Sequence, residues 1–204
     1  MAGTDTTDWC DTTYGTVSEG VARRMARAAH TTVDGPYIAG VTEPWVTELV
    51  GSLCKAVDAH TILETGSFLG HTTAHLAQCL QDRGGGRLIA CEIDPARARE
   101  VHERLIGLTI PDVAFTVYAQ DVQQVIAHMK DGELDAAFVD DDHQSGHVAS
   151  EIDSLLPKVR VGGLLLFHDV FGSCDLQRVV RAYGGYCLNL PRNGPAGGLG
   201  ILQR

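Results

Sequence analysis

The chain lacks the features that would mark it as a nucleic-acid binder, a membrane protein or a disulfide scaffold. Its 16 Lys and Arg are outnumbered by 26 Asp and Glu, a formal net charge of −10 at pH 7. The broad basic face that nucleic acid or an anionic membrane needs is therefore missing. No apolar run approaches the ~20 residues of a membrane span, and the first residues carry no hydrophobic signal core, so the expected compartment is the cytoplasm. The six cysteines (Cys10, Cys54, Cys79, Cys91, Cys174 and Cys187) are scattered without a Cys-x-x-Cys pair. Several sit in apolar runs, where a thiol packs as a small hydrophobe, so reduced thiols are expected. Internal repeats and low-complexity tracts are absent too. What remains is ordinary globular composition, 44% hydrophobic and 21% charged over 204 residues. That is enough for one α/β domain with a sizeable core.

The organising stretch begins at Thr61, Thr-Ile-Leu-Glu-Thr-Gly-Ser-Phe-Leu-Gly-His-Thr-Thr, and it reads as strand, glycine loop, helix. Ile62 and Leu63 start a short apolar run, Glu64 ends it with a charge, and Gly66 and Gly70 supply the backbone freedom of a tight turn. A helix starting near Gly70 aims its first N–H groups over the loop, which suits the carboxylate or phosphate of a nucleotide-like cofactor. Glu64, Gly66, Ser67, Phe68, Gly70, His71 and Thr72 are the candidate contacts. The spacing differs from the Gly-x-Gly-x-x-Gly of dinucleotide enzymes, because Phe68 stands where a second close glycine would admit a pyrophosphate. A ligand without a pyrophosphate fits better.

Residues 1–40 form an expected arm with helical character over Val21 to His30, a cap or partner contact outside the main domain at 41–204. From Thr42-Glu43-Pro44 onward, where Thr42 is the expected helix cap, apolar residues at helical and strand spacing alternate. Strands are expected from Thr61, Leu88, Val113, Ala136 and Leu164, and a closing hairpin from Tyr186 to Leu190 and Leu199 to Leu202. A helix is expected over Val122 to Met129 and another over Glu151 to Val159. The fold class is therefore α/β, a Rossmann-like, mostly parallel seven-stranded sheet with helices on both faces and a C-terminal antiparallel hairpin. Glu64, Glu92, Asp140 and Asp169 each end a strand, so they should converge on one edge of the sheet, where such folds bind ligands. Glu92 there suits the two hydroxyls of a ribose, with Ile93 packing on the base. His147 and five other histidines, at 30, 60, 75, 102 and 128, read as surface or helix-face residues.

The stretch from Thr61 resembles motif I of class I S-adenosylmethionine-dependent methyltransferases, most closely the small O-methyltransferases of the catechol and caffeoyl-CoA type. Phe-Val-Asp-Asp-Asp-His from Phe138 and Leu-Leu-Phe-His-Asp-Val from Leu165 extend that resemblance. It implies an S-adenosylmethionine site with Val41 near the methionine moiety and Gln120 and Asp121 near the adenine amino group. It also implies a divalent metal such as Mg held by Asp140, His168 and Asp169, with Asp140 and His143 catalytic and His143 in the place of a lysine base. His168 stands where the family has a carboxylate, and Asp169 replaces an amide. The implied acceptor is a small hydroxylated metabolite and a homodimer is allowed. Nucleic acid and membrane are not implied partners. Two other readings are a metal-dependent oxygenase of the cephalosporin-hydroxylase type on the same fold and a non-catalytic cofactor-binding protein.

Overall fold

The computed structural model describes residues 41–142, 144–172, 174–190 and 197–204. The expected Val21 to His30 helix, and the first forty residues with it, lie outside the described residues. Helix and strand alternate from the start: α1 (Pro44–Ala56), β1 (Thr61–Thr65), α2 (His71–Gln81), β2 (Gly86–Cys91), α3 (Pro95–Ile106) and β3 (Val113–Tyr118). There follow α4 (Val122–Ile126), β4 (Leu134–Val139), α5 (Ser145–Leu155), β5 (Val159–His168), α6 (Cys174–Ala182), β6 (Tyr186–Leu188) and β7 (Leu199–Gln203). The strands form one sheet in the order β3-β2-β1-β4-β5-β7-β6. β1 to β5 are parallel, and β7 runs antiparallel to β5 and β6, closing the sheet with the expected antiparallel pair. The order reverses between β1 and β4, and that switch point opens a crevice at the carboxyl ends of the strands.

Period-two alternation assigns each strand residue to one of two apolar layers. Ile62, Leu88, Phe138, Leu164 and Leu166 pack with Val50, Leu76 and Val101 from α1, α2 and α3. Their neighbours Leu63, Ile89, Val139, Leu165 and Phe167 face the other way, against Val125, Ile152, Leu176 and Val180 from α4, α5 and α6. Each such side chain contributes about 1.5–3 kcal/mol on burial. Cys54, Cys79, Cys91 and Cys187 are buried free thiols. No helix among the described residues is long and apolar enough to cross a membrane.

Four local expectations differ from the structure. The segment from Glu151 is helical only to Leu155, and β5 begins at Val159 instead of Leu164. Leu134 pairs with Val159 while Ala136 already pairs with Leu164, so β5 carries an irregularity at Gly162 and Gly163. Gly162 has φ 82°, and a Cβ on Gly163 would lie 2.5 Å from the Asp135 carbonyl oxygen. The glycines thus interrupt the strand's pairing without ending it. The helix from Val122 stops at Ile126. Thr42 does not cap α1: Glu43 occupies that position without a side-chain cap bond, because the Thr42 hydroxyl is committed to Asp140.

Candidate active site

The loop after β1 touches the end of β4 backbone to backbone. Gly66 has φ 72°, and a Cβ there would meet the Asp140 carbonyl and come within 2.7 Å of the Asp141 Cα. The Asp140 N–H also donates to the Thr65 carbonyl at 3.2 Å. Only glycine tolerates both the left-handed backbone and this approach. Beneath the loop, Glu64 is 1% exposed and accepts hydrogen bonds from the Ser67 hydroxyl, at 3.0 Å, and the Thr73 hydroxyl. Burial pushes the Glu64 carboxyl up to about 7, opposed by the two hydroxyls and reinforced by the charges of Asp140 and Glu92. Glu64 and Ser67 therefore brace the loop from below, and the structure does not bring them to the wall of the crevice. Gly70, His71 and Thr72, the helix start, are likewise off that wall.

The crevice itself has a volume of about 730 Å³. Val41, Gly66, Phe68, Glu92, Ile93, Gln120, Asp121, Asp140, His168 and Asp169 line it, so most residues read from sequence are brought together. Arg97, Asp141 and His147 line it as well and went unassigned in the sequence. Glu92, at the end of β2, accepts from the Phe68 N–H at 2.8 Å through one oxygen and from the Asp94 N–H at 2.9 Å through the other. Each oxygen keeps a second lone pair, and Glu92 lines the cleft. Phe68 holds a left-handed backbone, φ 47°, the conformation a glycine would take more cheaply. Its N–H is fixed by Glu92, and the Arg97 guanidinium lies 4.7 Å from its ring centroid. At the rim Ile93 is 72% exposed, an apolar surface beside polar neighbours.

On the β4–β5 side a buried acid–base chain crosses the floor. His168 places Nδ1 2.7 Å from Asp140 Oδ1 and Nε2 2.9 Å from Glu43 Oε2. The Thr42 hydroxyl donates to the other Asp140 oxygen at 2.5 Å. Burial works against the imidazolium, but the bonds to Asp140 and Glu43 and the charge of Asp169 more than offset it, lifting His168 to about 10. Both ring nitrogens therefore donate, and neither keeps a lone pair for an ion. Asp140 faces Nδ1, whereas Asp169 approaches Nε2 at 3.5 Å, so these two acids lie against different edges of the ring. The implied set Asp140, His168 and Asp169 does not converge on one point: the donors that do are Glu43, His168 and Asp169, and there His168 Nε2 is already engaged by Glu43. Asp169 has φ 51°, a second left-handed non-glycine residue at the cleft.

Beside this chain lies another histidine between acids. His147 Nε2 is 3.2 Å from Asp141 Oδ2 and 3.5 Å from Glu151 Oε2, one helical turn along α5. Glu151 is fully buried, and burial together with the Asp141 charge pushes it up to about 9. His143, the expected base, lies outside the described residues.

A glycine loop braced by one acid, a second acid at the end of β2, and acids at the ends of β4 and β5 around a switch-point cleft define a class I methyltransferase architecture. Residues 63–170 match the family described as Methyltransferase domain, and the chain belongs to that family. Its fold is similar to the O-methyltransferase from Bacillus cereus solved with SAH, at 18% identity and TM-score 0.66 over 92% of each chain. It is similar to the O-methyltransferase TomG from Streptomyces achromogenes, involved in tomaymycin synthesis and solved with SAM. There the identity is 21% and the TM-score 0.63, over 91% of this chain and 89% of that one. Cofactor-bound Rv0187 from MTB gives 21% and 0.67 over 91% and 88%. No curated protein matches the sequence.

Proposed function

We propose that this protein transfers the methyl group of S-adenosylmethionine to a hydroxyl of a small metabolite. The observation that carries the reading is Glu92: its carboxylate fixes the glycine loop through the Phe68 N–H and lines the cleft, where a ribose diol would donate to its remaining lone pairs. Ile93 supplies an apolar face for the adenine, and Gln120 and Asp121 its polar edge. The acids around the cleft favour the positive sulfonium and amine of the donor over an anionic ligand. Membership of the methyltransferase family and the likeness to SAM- and SAH-bound structures support the same cofactor.

In the transfer, the acceptor oxygen attacks the methyl carbon as the carbon–sulfur bond breaks, the electron pair stays on sulfur, and S-adenosylhomocysteine leaves. The hydroxyl proton goes to His143, which follows Asp140 by three residues. His168 is not that base, because both of its nitrogens already carry protons held by acids. It instead keeps Asp140 oriented at the cleft. Alignment of oxygen, carbon and sulfur with water excluded supplies most of the rate. His143→Ala is expected to lower turnover by roughly 10² to 10⁴ across pH 6–9 while S-adenosylhomocysteine binding by calorimetry stays unchanged. Turnover within a few-fold of the parent sinks the base assignment, and absence of S-adenosylhomocysteine binding by the parent sinks the function.

A further inference from the structure

The cluster of Asp141, His147 and Glu151 is not used by the proposed transfer. Glu151 is 0% exposed, and among the described residues neither of its carboxylate oxygens makes a hydrogen bond. Thr65 and Asp141 are its polar neighbours: the Thr65 hydroxyl favours its carboxylate form, and the Asp141 carboxylate disfavours it. One oxygen of Asp141 is also buried without a partner. Leaving such groups uncompensated is costly, and each calls for an explanation such as an ion. The nearby field gives no relief: the charges that act on neighbouring Cys91 are Glu64, Asp141, Glu151 and Asp121, all acids. Among the described residues His147 is the one basic side chain within 4.0 Å of either acid.

The spacing is that of donors around an ion. One atom from each of the three residues lies within 4.8 Å of the others, with 3.2 and 3.5 Å from the imidazole nitrogen to the two carboxylates. Two donors each ~2.1 Å from a shared ion sit roughly 3–3.4 Å apart. The 3.2 Å contact to Asp141 is a hydrogen bond at the long end of the range and the 3.5 Å contact to Glu151 lies beyond it, in contrast with the 2.7 and 2.9 Å that close the His168 chain. His147 and Asp141 also line the cleft, which gives an ion its way in and leaves further coordination positions toward solvent.

We propose that Asp141, His147 and Glu151 bind one divalent first-row transition ion, with Zn²⁺ as its type, on the floor of the cleft. One imidazole with two carboxylates favours such an ion over Mg²⁺, which prefers oxygen donors and water. The ion ties the end of β4 to α5 and so acts on the stability of the site, whether or not the chain transfers methyl groups. The test uses the full chain stripped with chelator, then equilibrium dialysis and thermal melting with Zn²⁺ alone. The parent is expected to bind Zn²⁺ and to melt roughly 5 °C or more higher at a hundredfold excess over its Kd. His147→Ala and the near-isosteric Glu151→Gln should each weaken binding at least tenfold and remove the rise in Tm. Asp169→Asn, at the neighbouring His168 cluster, should retain both. A parent that binds no Zn²⁺, or a His147→Ala variant that binds and melts like the parent, overturns the site. So does loss of binding in Asp169→Asn with retention in Glu151→Gln.

Discussion

Two histidines line one cleft, each between carboxylates, and they are held in opposite ways. His168, 6% exposed, is closed: Asp140 and Glu43 grip both nitrogens at hydrogen-bond distance, and the Thr42 hydroxyl completes the chain. His147 stands at longer range from acids whose oxygens are left over. The difference follows from where the acids come from. Glu43 reaches His168 from the start of α1, so the ring is packed on both sides, whereas His147 and Glu151 share one helix and can approach only as its turn allows.

The largest test of that contrast is removal of each ring. His168→Asn leaves Asp140 and Glu43 buried without their cation and is expected to cost about 3–5 kcal/mol in urea unfolding at pH 7. His147→Ala in chelator should cost less than about 1 kcal/mol, since its side chain is about a third exposed. Equal losses would break the distinction.

Acid–base linkage sharpens it further. His168 is raised from 6.5 to about 10, so its stabilisation is fully present below pH 6.5 and is lost as pH rises through 10. The gap between parent and His168→Asn should therefore narrow from pH 7 to pH 10. Glu64 is raised from 4.5 to about 7, so its contribution is complete below pH 4.5 and fades as pH rises through 7, a change on the order of 3 kcal/mol. Glu64→Gln, neutral throughout, should lack that fall when the two are compared by denaturant melts from pH 4.5 to 8. Parallel curves would mean that the loop is not braced by a protonated Glu64.

On the β1–β2 side the expected effects concern ligand more than fold. Glu92→Ala should weaken S-adenosylhomocysteine by about 1–3 kcal/mol, seen by calorimetry. Unchanged affinity removes the ribose assignment. The smallest effect is Arg97→Ala, which uncovers the Phe68 ring and should cost about 0.5–1 kcal/mol of thermal stability. No measurable change would leave the Phe68 backbone held by Glu92 alone.

How far the sequence could be read follows the same division. The β1 loop, Glu92 and the order of strands are local features: apolar runs of period two, glycines, and acids at strand ends, each visible within a dozen residues. The His168 chain is not local, because Thr42 and Glu43 meet Asp140 and His168 across 98 and 125 residues. From the sequence Thr42 and Glu43 are only a helix start. Arg97 reads as one more basic residue on a solvated helix until Phe68 is folded onto it. The start of β5 is hidden by Gly162-Gly163, which form an irregularity within the strand without ending it. His147 and Glu151 did carry a signal, a four-residue interval on a helix just after the acidic run that ends β4, and only their burial gives it weight.

The clasp of Thr42 and Glu43 also sets how force travels through the molecule. Immediately before α1, two consecutive side chains, Thr42 and Glu43, are fastened to Asp140 and His168. Tension on the backbone entering α1 is borne by these two contacts before β1 and the sheet can absorb it. A pull on the chain at that point therefore acts directly on Asp140 and His168, with two hydrogen bonds as the coupling.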